Sequence, residues 1–120
     1  YPTICELTGA ELPDDQFIDG ISLVPVLYGK KSASKNTRAF YWHYPLESKH
    51  FLGGRSSGAI REGDWKLIEF FDTGERELYN LSSDTSETNN LISQYPEKAE
   101  TLQQKLAQWR KNVINQPFRK

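Results

Sequence analysis

Two histidines, a carboxylate and an arginine fall close together in this chain: His43, Glu47, His50 and Arg55. Imidazole and carboxylate are ligand types for zinc and its neighbours. The separation of the two imidazoles does not suit a helical pair, and Pro45 breaks any helix between them. A metal site also needs three or four ligands and partners that orient them. His43 therefore reads as a strand residue and His50 as a loop residue. The segment Gly53-Gly54-Arg55-Ser56-Ser57-Gly58 has the outline of a phosphate-cradling loop. It lacks the Gly-Lys-Ser/Thr ending and a following helix, so its glycines are read as serving tight turns or close backbone approach. Cys5 is the only cysteine, which excludes an internal disulfide and a cysteine-based zinc site. Asn80-Leu81-Ser82 matches a glycosylation sequon in form. The acidic residues are scattered through loops and one helix face, so no general acid/base pair can be assigned.

These side chains must be positioned by a modest scaffold. The chain has 120 residues, 37% hydrophobic and 26% charged, the composition of an ordinary globular protein of one domain at most. Its formal net charge is −1, which gives no electrostatic case for nucleic acid or an anionic membrane surface. No apolar run approaches the roughly 20 residues of a membrane span, and no basic-then-apolar leader is seen. There is no methionine, and Tyr1 already reads as part of an element, so the chain is expected to derive from a longer one.

Along the chain, Tyr1 to Gly9 has the marks of a helix end, with Pro2 in a first turn and Gly9 at the C′ position. Glu11 to Gly20 is a polar loop. Ser22 can cap a short helix through Leu27, with Pro25 tolerated in its first turn. Leu23, Val24, Val26 and Leu27 are apolar enough to require a packing partner. The basic stretch GKKSASKNT, residues 29–37, is the internal boundary. Beyond it, Arg38 to Tyr44 is aromatic and strand-like, and Pro45 stops it. Gly58 to Arg61, Trp65 to Phe71 and Arg76 to Leu81 read as further strands joined by short turns, which implies an antiparallel sheet. Ser82 to Asn90 is polar and loop-like. From Pro96 to Ile114, the residues Ala99, Leu102, Leu106, Trp109 and Val113 fall on one helical face.

The expected fold class is α+β: a small antiparallel sheet of about four strands packed against one C-terminal amphipathic helix, with a short helical N-terminal segment. Trp65, Phe70, Phe71, Tyr79 and Trp109 are expected in the core, and Arg61, Asp64 and Lys66 at solvated positions. Phe40, Tyr41, Trp42 and Tyr44 put aromatics on both faces of one strand, whereas one helix covers only one face of a sheet. The other face must meet another domain or a ligand, or remain an exposed patch.

Several segments, in order, resemble the C-terminal region of the sulfatases, the arylsulfatase A-like, formylglycine-dependent hydrolases of sulfate esters. Pro2-Thr3-Ile4 with Leu7, Gly9 and Leu12-Pro13 looks like the last helix of the sulfatase catalytic domain. Asp19 to Leu27 (DGISLVPVL) is similar to the segment closing that domain. Arg38 and FYWHYP, residues 40–45, resemble the first strand of the C-terminal subdomain. Ala59-Ile60-Arg61 and Gly63 to Ile68 (GDWKLI) resemble its central hairpin. Glu77 to Leu81 (ELYNL), Asp84, Glu87 and Asn89-Asn90-Leu91 match the strand and loop before the final helix.

The resemblance implies residues 1–37 as the tail of an α/β catalytic domain with its linker, and residues 38–120 as the C-terminal subdomain. It implies sulfate ester hydrolysis by the parent, through a formylglycine made in a Cys/Ser-x-Pro-x-Arg motif and a calcium ion that binds the sulfate. Neither belongs to this chain, because Cys5 is followed by Glu6-Leu7-Thr8. The resemblance thus expects no catalytic residue or metal ligand here. It expects the catalytic domain as partner, a sulfated carbohydrate or aryl sulfate as the parent's substrate, and export to the periplasm or the cell exterior of a bacterium. In such enzymes the loop after the Trp-His-Tyr-Pro strand faces the catalytic mouth, which makes His43, His50 and Arg55 candidates for substrate contact. The alternatives are the end of a related phosphonate or phosphate monoester hydrolase, or an autonomous carbohydrate-binding module. The unpartnered aromatic face makes self-association plausible.

Overall fold

Strand alternation and helical periodicity build the larger part of the chain. The computed structural model describes residues 1–16, 18–30, 38–46 and 54–114. The elements are α1 (Pro2–Thr8), α2 (Val24–Leu27), β1 (Ala39–Tyr44), β2 (Ser57–Glu62), β3 (Trp65–Phe70), β4 (Arg76–Asn80) and α3 (Pro96–Ile114). They divide between two compact units, Tyr1–Asn36 and Thr37–Lys120.

In the second unit the four strands form an antiparallel sheet in sequence order, β1-β2-β3-β4. This is the α+β arrangement expected from the sequence. Gly63 and Gly74 take positive φ, 59° and 73°, at the two hairpin connections where the chain must reverse tightly. Register places Ile60 opposite Leu67 and Leu67 opposite Leu78, one aliphatic row across three strands. Ala99, Leu102 and Leu106 of α3 close over that row, and all six are buried. Each fully buried leucine or isoleucine contributes about 1.5–3 kcal/mol from its transfer out of water. Three ion pairs add lateral ties between helix and sheet: Lys105–Glu62 at 2.6 Å, Arg110–Glu69 at 2.6 Å and Arg76–Glu100 at 3.5 Å. Arg76 also donates to Gln103 Oε1.

The aromatic core expected from the sequence is corrected. Of Trp65, Phe70, Phe71, Tyr79 and Trp109, only Tyr79 is buried. Branched aliphatics fill the central row between sheet and helix. Trp65 and Trp109 pack at its border, whereas Phe70 and Tyr79 lie on the other face of the sheet. Trp109 stacks on Tyr41, with centroids 4.9 Å apart and planes 6° from parallel. Trp65 meets the edge of Tyr95 at 5.1 Å. Val113 is 45% exposed rather than seated on the buried stripe.

Residues 81–91 are more ordered than their polar composition suggests. The Asp84 carboxylate accepts the backbone N–H groups of Thr88 and Asn89, at 3.0 and 2.8 Å. Glu87 is the one non-glycine residue with positive φ among those described, 54°. Lys66, expected to be solvated, pairs instead with both Glu87 oxygens at 2.7 and 2.8 Å. Asn90 Oδ1 accepts the Leu78 N–H, and the Leu91 N–H donates to the Leu78 carbonyl, so this segment covers the outer edge of β4.

The first unit is built differently. Pro2 stands in the first turn of α1, and Gly9 ends the helix in the left-handed region at φ 71°. Ser22 Oγ accepts the Val24 N–H at 3.2 Å, but the N-cap of α2 is Leu23, which has no side-chain cap, so Ser22 stands one residue before the cap position expected of it. The Leu23 N–H donates to Thr3 Oγ1 at 3.0 Å, joining α2 to α1. Pro2 and Cys5 are buried, while Ile4, Leu7, Leu12, Ile21, Leu23, Val26 and Leu27 are exposed.

Candidate functional site

β1 carries His43 at its C-terminal end, where strand alternation decides which face the imidazole takes. His43 lies opposite Gly58 and Tyr41 opposite Ile60, so both point to the side of the sheet that α3 covers. Phe40, Trp42 and Tyr44 point the other way, each about half exposed. On β1 the expected open face thus carries half-exposed rings, whereas further across the sheet the same face is partly covered, with Tyr79 buried and Lys66 paired to Glu87.

His43 packs on the Phe71 ring, with centroids 5.3 Å apart and planes at 55°. The Arg110 guanidinium also lies over Phe71, 4.7 Å from its centroid. Arg110 Nη2 donates to Glu69 Oε2 at 2.6 Å, and both side chains are about three-quarters buried. Arg110 Nε is buried with no hydrogen-bond partner among the described residues. Gly58 lies under this group. A Cβ there would stand 3.0 Å from Phe71 and 3.2 Å from Arg110 Nη2, closer than ordinary packing permits. The missing side chain of Gly58 is what lets the ring and the guanidinium settle on the sheet.

Arg55 belongs to another cluster. Its Nη2 donates to Asp72 Oδ1 and Thr73 Oγ1 at 3.0 Å and to Glu75 Oε2 at 3.2 Å, and its Nε donates to Asp72 Oδ2 at 3.3 Å. The guanidinium lies 3.8 Å above the Phe70 ring. Hydrogen bonding to Asp72 raises the Arg55 pKa above its ordinary value, and the same contact lowers that of Asp72. Phe70 follows Glu69 in the strand and so takes the face away from α3. The structure therefore places His43 and Arg55 on opposite faces of the sheet and does not bring them together. His50 and Glu47 lie outside the described residues.

On the face away from α3, Trp42, Ala59, Arg61, Lys66, Leu81 and Glu87 line a groove of about 340 Å³. Tyr79 shares this face, being opposite Lys66. Burial first, and the nearby Glu77 second, push its phenol up to about 12.

No residues described here suit a calcium ion or a formylglycine. Among them no three His, Cys, Asp or Glu side chains gather as metal ligands. Cys5 is buried within α1, so its sulfur has no open approach. No helix among the described residues is long and apolar enough to cross a membrane.

Sequence reasoning did not find Phe71, Arg110, Glu69 and Gly58 as a group. They come from two strands, a turn and a helix, and only tertiary packing joins them. The one local signal was a glycine opening a strand where a side chain would be expected.

A family profile described as N-sulphoglucosamine sulphohydrolase, C-terminal, matches residues 1–113. An N-acetylglucosamine-6-O-sulfatase of Bacteroides thetaiotaomicron is 36% identical over 115 residues, which are 92% of this chain and 20% of the relative. Arylsulfatase K of Mus musculus is 32% identical over 123 residues, 98% of this chain and 21% of the relative. One solved structure, of a protein in complex with its substrate D-glucosamine-2-N,6-O-disulfate, aligns with a TM-score of 0.74 and 35% identity. The alignment covers 97% of this chain and 24% of that one. This chain spans about a fifth of the length of the curated relatives it matches.

Proposed function

This chain belongs to the family of sulfatase C-terminal domains typified by N-sulphoglucosamine sulphohydrolase, and from that premise we propose that it closes a sulfuric ester hydrolase acting on a sulfated amino sugar. The observation that carries this reading is the likeness, at 35% identity over nearly the whole chain, to a protein held with a sulfated glucosamine. In this reading residues 1–37 complete the catalytic domain and residues 38–120 form the subdomain packed beside it. The chain is not catalytic alone. Calcium and formylglycine belong to the remainder of the parent, and the parent works in the periplasm or outside the cell.

His43 and His50 stand at the substrate rim in this proposal, contacting the sugar rather than the sulfur. Arg55, on the opposite face of the sheet from His43, is assigned to a separate part of the substrate surface. Its bonds to Asp72, Thr73 and Glu75 make it a fixed wall rather than a mobile sulfate clamp.

The test is an assay of the full-length parent on D-glucosamine-2-N,6-O-disulfate beside a phosphate monoester of the same sugar. Release of inorganic sulfate is the expected result. Release of phosphate with no sulfate would overturn the reading in favour of a phosphoesterase.

A further inference from the structure

We propose that Phe71 and Arg110 are positioning residues for His43, fixing its imidazole through a packed array anchored by Glu69 and admitted by Gly58. This rests on the reading of His43 as a substrate-rim residue and goes beyond it by naming what holds the ring.

An imidazole at the end of an edge strand is ordinarily mobile. His43 is exposed, and its strand has a sheet partner on one side only. A recognition group with that freedom loses conformational entropy each time it orders on a ligand. Here its ring lies 5.3 Å from Phe71, so one side is packed while the remainder stays open to solvent. Phe71 is itself held by the Arg110 guanidinium, 4.7 Å from the ring centroid. At that distance the guanidinium charge is attracted by the ring's π-face.

Arg110 is in turn tied down by Glu69 at 2.6 Å. The Nη2 bond to Glu69 and the contact with the Phe71 ring together hold the guanidinium, while its buried Nε has no hydrogen-bond partner among the described residues. The Gly58 backbone completes the array, since any Cβ there would collide with both Phe71 and Arg110. Four elements thus converge on one exposed imidazole, as expected where a recognition group is organised before its ligand arrives.

The test reads His43 directly in the 120-residue chain by NMR. The ring protons of His43 should carry a ring-current shift from Phe71. Phe71→Leu should abolish that shift, and Phe71→Tyr, which keeps a ring, should retain it. Arg110→Met keeps the aliphatic stem and should reduce the shift as Phe71 loosens; it provides the same readout should Phe71→Leu fail to fold. Unchanged His43 signals in a folded Arg110→Met or Phe71→Leu chain would overturn the proposal.

In the full-length parent, Arg110→Met should raise KM for the sulfated sugar about tenfold and leave kcat nearly unchanged, as expected for a displaced binding contact. Parent kinetics indifferent to His43→Ala would instead sink the substrate-rim reading, and the kinetic role of the array with it. The NMR comparison decides separately whether the array sets the ring.

Discussion

Residues 1–30 and residues 38–114 use similar apolar side chains and dispose of them in opposite ways. In the second region Ile60, Leu67, Leu78, Leu102 and Leu106 are wholly buried between one sheet and one helix. In the first, the buried residues are Pro2 and Cys5, and Leu27 is 67% exposed. The difference lies in supply of a second layer. A sheet opposed by a 19-residue amphipathic helix closes a core by itself. Two helices of seven and four residues cannot. Their exposed aliphatics form the kind of apolar surface that marks an interaction site, which fits the proposal that residues 1–37 complete a larger catalytic domain while residues 38–120 close their own core.

The comparison breaks most readily at the core. Leu102→Ala should destabilise the 120-residue chain by about 2–5 kcal/mol, the range for deleting a buried leucine side chain. Urea denaturation followed by tryptophan fluorescence would measure it. Gly58→Ala should cost about 1–3 kcal/mol through overpacking against Phe71 and Arg110, measured the same way.

Acid should act next, and on the second region. Asp84 is held below its ordinary value of 3.8 first by the Asn89 N–H and then by the Thr88 N–H. Asp72 is held below the same value by Arg55. A carboxylate whose folded pKa lies below its unfolded one stabilises the fold above the unfolded value, and that stability is lost as pH falls through the folded value. The stability curve should therefore drop below about pH 4, and Asp84→Asn should flatten that limb. A curve unchanged by the substitution would remove Asp84 from the account.

The smallest effect sharpens the contrast. Leu27→Ser should change the stability of this chain by no more than about 0.5 kcal/mol, as for other exposed positions. In the full-length parent the proposed docking of this segment on the catalytic domain predicts a cost several times larger.

Much of this fold can be read in the linear sequence because the relevant signals are local. Alternation and turn residues mark the hairpins at Gly63 and Gly74, and the stripe from Ala99 to Trp109 marks the helix. What could not be read depends on packing. Aromatic bulk suggested core for Trp65, Phe70, Phe71 and Trp109, yet the space between sheet and helix suits branched aliphatics; Trp65 and Trp109 took its border and Phe70 the other face of the sheet. Lys66 looked solvated because its partner Glu87 is far along the chain and reaches it only through a backbone turn with positive φ. The candidate site divides in the same way. His43 stood out by its residue type and strand context. Its support by Phe71, Arg110, Glu69 and Gly58 has no local signature. Arg55 looked available for a ligand because the carboxylates that engage it lie in a later turn.

The most direct measurement is hydrogen exchange, residue by residue, on the 120-residue chain shown to be a monomer. The account expects slow exchange confined to β1 through β4 and α3, approaching the rate of global unfolding, with the amides of α1 and α2 exchanging fast. Equal strong protection in both regions of a proven monomer would contradict it, because the first region would then hold itself together without a neighbour.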